Sequence, residues 1–210
     1  MNIGVIGAGN IGEAAAELFI NAGHKIAIAN SRGPQTLTET IAKLGASAQA
    51  MTIEEAAKFG EIILIAIPFG KYKTLPSEAF EGKIVIDANN YYPNRDGQFA
   101  ELDNNSTTSS ELLENHLTGA RLVKGFNTIW SEHLKAQGNK DFKLEDRRVI
   151  FIASDDSEAK EKVAKLIEEI GFAAVDNGFL QDGGRKQQPG TPVYNQTLTV
   201  KDATEILANS

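Results

Sequence analysis

Ile3-Gly4-Val5-Ile6-Gly7-Ala8-Gly9-Asn10-Ile11-Gly12 stands at the head of the chain, and the reading of these ten residues decides the fold. Ile3 to Gly7 is an apolar run of strand length. It passes without a break into Gly-x-Gly-x-x-Gly. From Asn10 to Ala22 the pattern becomes helical, with Ile11, Ala15 and Leu18 on one stripe and Gly23 placed to close the helix. A Gly-x-Gly-x-x-Gly alone is a weak signal. Between a strand and a helix, with a second strand ending at Asn30, it reads as a phosphate-binding turn. The glycines then serve different ends. Gly7 makes the tight turn, Gly9 lets the backbone approach a pyrophosphate, and Gly12 lets the helix lie close to the sheet. The amides of Asn10, Ile11 and Gly12 open the helix, where unpaired N–H groups and about half a positive charge favour an anion.

Outward from this turn, strand-length apolar runs recur over residues 3–7, 25–30, 47–50, 61–67, 83–87, 121–125, 148–153 and 173–175. Most are continuous rather than alternating, as in parallel strands covered on both faces. Helical patterns separate them. In the clearest, Asp155 and Glu158 read as a capping pair, Ala159, Val163, Leu166 and Ile170 repeat on one face, and Gly171 ends the helix. The expected fold is α/β: an NAD(P)-binding Rossmann-type, doubly wound and mostly parallel sheet with helices on both faces. Residues 1–210 read as one such domain with a loop-rich tail from about residue 176. Two stretches interrupt the rhythm, 89–108 and 176–199, and loops of that length are often binding loops or lids.

Composition narrows the chemistry. A net charge of −7 argues against a nucleic-acid or anionic-membrane surface, each of which needs a basic face. The chain has no cysteine, which excludes disulfides, thiol nucleophiles and cysteine-bound metals. The histidines, His24, His116 and His133, share no close spacing, so no metal site is expected, and His133 reads as a structural or surface residue. The N-terminus shows no leader pattern and no apolar run approaches membrane-spanning length, so a cytoplasmic protein is expected.

The second strand ends in Asn30-Ser31-Arg32-Gly33, where NAD-preferring proteins place a carboxylate for the ribose hydroxyls. Here no carboxylate would repel a 2′-phosphate. Ser31 offers a hydroxyl and Arg32 a permanently charged planar fork, so NADP(H) is the expected cofactor. Ligands in such sheets sit at the carboxyl ends of the strands. Those ends read Ala66-Ile67-Pro68-Phe69, Asp87-Ala88-Asn89-Asn90 and Lys124-Gly125-Phe126-Asn127-Thr128. Pro68 fixes a turn, Phe69 could pack on a planar ring, and Asn89 and Asn127 could bind a carboxamide or a substrate carbonyl. Each has a plainer reading: Phe69 as core, the asparagines as turn formers. Hydride transfer between flat rings needs mainly proximity and orientation, and it tolerates the absence of an evident acid–base triad.

At these residues the chain resembles the NADPH-dependent reductases of the deazaflavin coenzyme F420, together with related bacterial dinucleotide-binding oxidoreductases and the cytosolic domain of the STEAP metalloreductases. The matching pieces are residues 3–12, 29–33, 66–69, 86–90, 122–128 and 178–195, with Val123-Lys124-Gly125-Phe126-Asn127-Thr128 the most specific. The resemblance implies that Gly9 to Gly12 hold pyrophosphate, Ser31 and Arg32 the 2′-phosphate, and Pro68 and Phe69 the nicotinamide side. It also implies a homodimer. Two departures stand out: Gly125 replaces a common alanine, and in Arg185-Lys186-Gln187-Gln188-Pro189 the residue Gln188 replaces a carboxylate. The expected activity is hydride transfer between NADP(H) and a small electron acceptor, flavin-like, deazaflavin or other. The tail would help form the acceptor pocket, with Arg185, Gln188 and Tyr194 as candidates, and Asn127, Gln188 and Tyr194 as candidates for catalysis. The alternative is a non-catalytic NADP(H)-binding sensor, for which the absence of a decisive catalytic side chain speaks.

Overall fold

A computed structural model describes residues 1–208, and one eight-stranded sheet runs through them. Its strands are β1 (Asn2–Ile6), β2 (Lys25–Ala29), β3 (Ala48–Ala50), β4 (Ile62–Ile65), β5 (Ile84–Asp87), β6 (Arg121–Gly125), β7 (Val149–Ala153) and β8 (Ala173–Asp176). The spatial order is β3-β2-β1-β4-β5-β6-β7-β8. β1 to β6 are parallel, β7 pairs antiparallel with β6 through Lys124↔Ala153 and Gly125↔Ile152, and β8 returns parallel to β7. The expected, mostly parallel, doubly wound sheet is therefore present, and its strands begin and end within two residues of the apolar runs. The expected tail ends at residue 210, and its last two positions lie outside the described residues.

The helices are α1 (Asn10–Asn21), α2 (Thr38–Leu44), α3 (Ile53–Phe59), α4 (Pro93–Asp96), α5 (Ala100–Asp103), α6 (Ser109–His116), α7 (Ser131–Gln137), α8 (Ser157–Glu169), α9 (Asp182–Lys186) and α10 (Val200–Ala208). None is long and apolar enough to cross a membrane among the described residues.

Alternation along the strands builds two large cores, and a smaller third one gathers Val149, Phe151, Ala173, Val193 and Ala203. Ile3, Val5, Ile62 and Leu64 point to the face covered by α1, α7 and α8, while Ile6, Ile63 and Ile65 point to the face covered by α3, α6 and the turns after β4. Both faces are buried, which is why the strands read as continuous apolar runs. On α8 the spacing of Ala159, Val163, Leu166 and Ile167 puts four fully buried side chains on one stripe. The three large ones each contribute about 1.5–3 kcal/mol relative to exposure.

The start of α8 corrects the expected cap by one residue. Asp156, in an extended conformation, accepts from the Ala159 N–H at 2.9 Å, and Asp155 does not cap. Glu158 turns outward to Arg121 and Lys162 instead of back to the cap. The irregular stretches are also more ordered than a loop reading implies. Residues 89–108 carry α4 and α5, and Tyr91 and Phe99 meet the Phe69 ring edge-to-face at 5.9 and 5.3 Å. The 176–199 stretch carries α9 and a series of turns.

Candidate functional site

Strand order reverses between β1 and β4, so the helices leaving their carboxyl ends diverge and open a crevice. The Gly-rich turn lies at its centre. Gly7 has φ +113°, and its N–H donates to Ala29 O at 2.8 Å. A Cβ there would lie 2.1 Å from Ala66 O, and a Cβ on Gly12 would lie 1.8 Å from Gly7 O. Those two glycines are demanded by the fold. Gly9 is not. Its φ is −95°, and a Cβ would meet nothing within 4 Å. The space in front of Gly9 is open, and no side chain caps the start of α1 beside it.

Two cavities meet at Gly9, Ala66, Ile67 and Pro68. The first, of ≈ 530 Å³, runs past Gly7 to Asn30, Ser31 and Arg32. Asn30 is committed to shaping that loop. Its Oδ1 accepts from the Arg32 N–H at 2.9 Å and its Nδ2 donates to Thr36 Oγ1 at 2.9 Å, a side-chain-closed turn that leaves Ser31 and Arg32 exposed. Lys71, on the 3-10 turn Phe69–Thr74, lines the same cavity. This second cation was not among the residues singled out in the sequence. Its signal was its place just past Pro68.

The second cavity, of ≈ 450 Å³, extends over the ends of β4, β5 and β6. Gly9, Asn10, Ile11, Ile67, Pro68, Asn89, Asn127 and Tyr194, all expected site residues, line it. Beneath it is a buried ion pair. Lys124, 1% exposed, lies 3.0 Å from Asp87, 0% exposed. Ser110 Oγ donates to Asp87 at 2.7 Å, the Asn89 N–H donates to Asp87 Oδ1 at 2.9 Å, and Lys124 also donates to the Asn89 carbonyl. Two charges taken out of water are tolerated only when satisfied so completely. The effect is to hold Asn89 in place.

The asparagine amides are oriented by their partners. Asn89 Oδ1 accepts from the Ile67 N–H at 2.8 Å, and its buried Nδ2 has no partner among the described residues. Asn127 Nδ2 donates to Gln187 O at 2.7 Å and to Asn90 Oδ1 at 3.1 Å, and its buried Oδ1 has none. One orphaned donor and one orphaned acceptor therefore belong to the same cleft. A primary carboxamide has the complementary pair.

On the far wall the Tyr92 and Tyr194 hydroxyls are in direct hydrogen-bond contact, and Asn90 Nδ2 donates to Tyr194 Oη at 3.4 Å. Burial, together with the Tyr92 hydroxyl, pushes the Tyr194 phenol above the usual tyrosine range. The Arg95 guanidinium sits 4.9 Å from the Tyr92 ring centroid and pairs with Asp96 at 2.8 Å. Trp130, 57% exposed, forms the outer rim, with His133 stacked against it at 5.9 Å. Tyr92 and Arg95 were missed in the sequence because they lie in the irregular 89–108 stretch, and Trp130 because it sits in the turn between β6 and α7, paths that only packing decides.

Three expectations are corrected by position. Phe69 is fully buried, stacked on Tyr72 at 4.7 Å within the lower core, and lines neither cavity. Pro68 turns the chain so that the next side chain points inward, and the core reading of Phe69 is the right one. Gln188 follows α9 in a turn closed by its main-chain carbonyl, which accepts the Thr191 N–H and hydroxyl, and it too lines neither cavity. Arg185 lines a separate depression beside Val193 and Ile206. Of the three tail residues named as acceptor candidates, Tyr194 alone lines the cleft.

A glycine-rich turn at the switch point of a sheet ordered 3-2-1-4-5-6 defines a Rossmann-type dinucleotide-binding protein. Residues 2–91 match the family described as NADP oxidoreductase coenzyme F420-dependent, and the chain belongs to that family. It is similar to the crystal structure of a hypothetical protein of Sinorhizobium meliloti, with 33% identity, 95% of each chain covered and a TM-score of 0.83. It shares its fold with a candidate F420-dependent NADP-reductase of an Arthrobacter species, at 21% identity, TM-score 0.76, and 95% and 99% of the two chains. It is also 29% identical to mouse metalloreductase STEAP2 over 184 residues, 86% of this chain and 34% of that protein. The chain thus spans about a third of the length of the curated relatives it matches.

Proposed function

We propose that the chain binds NADP(H) along the groove and transfers hydride between the nicotinamide and a small acceptor in the ≈ 450 Å³ cleft, the acceptor being flavin-like or another small oxidant. The observation that carries this reading is the continuity of the two cavities through Gly9, with opposite chemistry at their ends. At one end Ser31, Arg32 and Lys71 suit a 2′-phosphate. In the middle, Gly9 and the start of α1 leave room and a positive field for a diphosphate. At the other, Asn89 Nδ2 and Asn127 Oδ1 suit the carboxamide of a nicotinamide. A bound reduced nicotinamide supplies two electrons and one hydrogen to the acceptor. The protein's contribution is to hold the two partners in contact.

Calorimetry with NADPH and with NADH tests the binding half. NADPH is expected to bind at least tenfold more tightly, as a charge-assisted phosphate contact of about 1.5–3 kcal/mol implies. Absence of uptake of either dinucleotide sinks the proposal. NADPH oxidation in the presence of flavins, quinones, ferric chelates and carbonyl compounds tests the catalytic half. Tight binding without oxidation by any of them would favour a sensor.

A further inference from the structure

Resting on the hydride-transfer reading above, we infer that Tyr194, backed by Tyr92, donates a proton to the acceptor in the cleft, and that the acceptor is a compound reduced across a polarised C=O or C=N double bond.

The ionisable side chains lining the cleft are Tyr92, Arg95, Glu132 and Tyr194. Arg95 is committed to Asp96 and to the Asn90 carbonyl. Glu132 is exposed in the first turn of α7. The phenols remain. Asn90 Nδ2 donates to the Tyr194 oxygen, and Tyr92 stands where its hydroxyl can donate to the same atom. With Tyr92 as the donor of their shared bond, Tyr194 keeps its own O–H for a third group, and Tyr194 lines the cleft. The same two donors steady the oxygen once its proton has left. Burial keeps the phenol protonated at neutral pH, so it enters the reaction as a loaded acid.

A reduced nicotinamide is the two-electron reductant. The hydride forms a C–H bond at the acceptor carbon, the π bond breaks towards oxygen or nitrogen, and that atom takes the Tyr194 proton. Tyr92 passes its proton to Tyr194 and is reprotonated by water. One hydride and one proton are added, giving an alcohol or an amine. A metal ion taking single electrons needs no such donor.

Trp130 is the only tryptophan of the chain and lines this cleft, so its fluorescence reports occupancy without any cofactor. The test titrates wild type, Tyr194→Phe and Tyr92→Phe with a panel of aldehydes, ketones and cyclic imines, and measures NADPH oxidation by the same compounds and by FMN. Wild type is expected to bind and reduce at least one C=O or C=N compound. Tyr194→Phe should lower its turnover by about 10²–10⁴-fold. The same substitution should weaken its Trp130-monitored binding about two- to tenfold, the worth of one hydrogen bond. The loss with FMN should stay under tenfold, and unaltered NADPH affinity shows that the variant is folded. Tyr92→Phe, which acts through Tyr194, should slow turnover about tenfold and enlarge the solvent deuterium isotope effect, a change that loss of packing alone does not produce. The inference is overturned if Tyr194→Phe reduces these compounds as wild type does. It is equally overturned if FMN is reduced and no C=O or C=N compound is, which leaves the hydride-transfer reading standing. Failure of wild type to bind NADPH overturns both.

Discussion

Replacing Gly9 by alanine separates the glycine that a ligand needs from those that the fold needs. The backbone at Gly9 has φ −95°, open to any residue, and the added methyl would meet no protein atom within 4 Å. Two small terms act on stability. Alanine lowers the entropy of the unfolded chain, worth about 0.4–1 kcal/mol, and is a poorer helix N-cap than glycine by a similar amount. They oppose each other, so Tm should move by no more than about 2–4 °C, the shift that 1 kcal/mol makes in a domain of this size. Binding should respond differently. A methyl group placed where backbone and diphosphate are to touch costs about 1–3 kcal/mol as overpacking. The NADPH dissociation constant should then rise about 5- to 160-fold. Gly12→Ala is the control: its Cβ, 1.8 Å from Gly7 O, strains the folded state and should lower Tm as well as affinity. Calorimetric titration and thermal unfolding of both variants give the comparison. Wild-type NADPH affinity in Gly9→Ala would refute the placing of the diphosphate in front of Gly9.

Arg32→Ala should weaken NADPH binding by about 1.5–3 kcal/mol, roughly 12- to 160-fold, while NADH affinity changes less than about twofold. Equal losses for both dinucleotides would show that Arg32 does not sense the 2′-phosphate. Lys124→Met leaves Asp87 buried without its cation and should cost about 3–5 kcal/mol, read as a fall in Tm of roughly 6–20 °C. A Tm within about 2 °C of wild type, the least that 1 kcal/mol moves a domain of this size, would show the pair to be expendable. Asp156 is held at about 2 by hydrogen bonding from Arg121 and from the Ala159 N–H, below its ordinary 3.8. A lowered carboxyl stabilises fully above its unfolded pKa, and that stability is lost as pH falls through the folded value, here between about pH 4 and pH 2. With both partners partly exposed and screened by solvent, the ion pair makes only a small contribution. Urea denaturation of wild type and Asp156→Asn should show that contribution as a gap at pH 7, narrowing as pH falls from about 4 to 2, and a gap undiminished at pH 2 would contradict the assignment.

The sheet was legible because its information is local. Eight apolar runs of strand length, each followed by a turn or helical pattern, leave few topologies open, and the glycines at 7, 9 and 12 name the switch point. Sequence spacing also holds further signals of the same local kind: Thr52 with Glu55 and Thr108 with Glu111 form reciprocal capping boxes at the starts of α3 and α6. The far wall of the cleft was less legible. Tyr92 and Tyr194 are about a hundred residues apart and meet through turns whose geometry no periodicity encodes. Lys124 and Asp87 are a different case. Each is a charge within or at the end of an apolar strand, and two opposite charges in neighbouring buried strands can only be paired.

What joins the core to the cleft is the backbone after β6. Phe126 has φ +62°, a left-handed conformation that costs a bulky residue about 1–2 kcal/mol, and it is completely buried with its ring edge-on to Phe19 at 6.1 Å. Packing of that ring into the α1 face holds the strained turn. The turn in its place directs Asn127 towards Asn90 and Gln187, and presents the Thr128 carbonyl to the Asn195 N–H at 3.0 Å. Asn195 has φ +57°, and it follows Tyr194 directly. Two of the three left-handed non-glycine residues among the described residues thus lie close to the two ends of one hydrogen bond, and that bond docks the tail carrying Tyr194 onto the strand ends carrying Asn89 and Asn127. Strained backbone persists only where the surrounding structure holds it, and here it lies where groups from distant segments converge. The cleft is therefore built by the core and not merely left over by it.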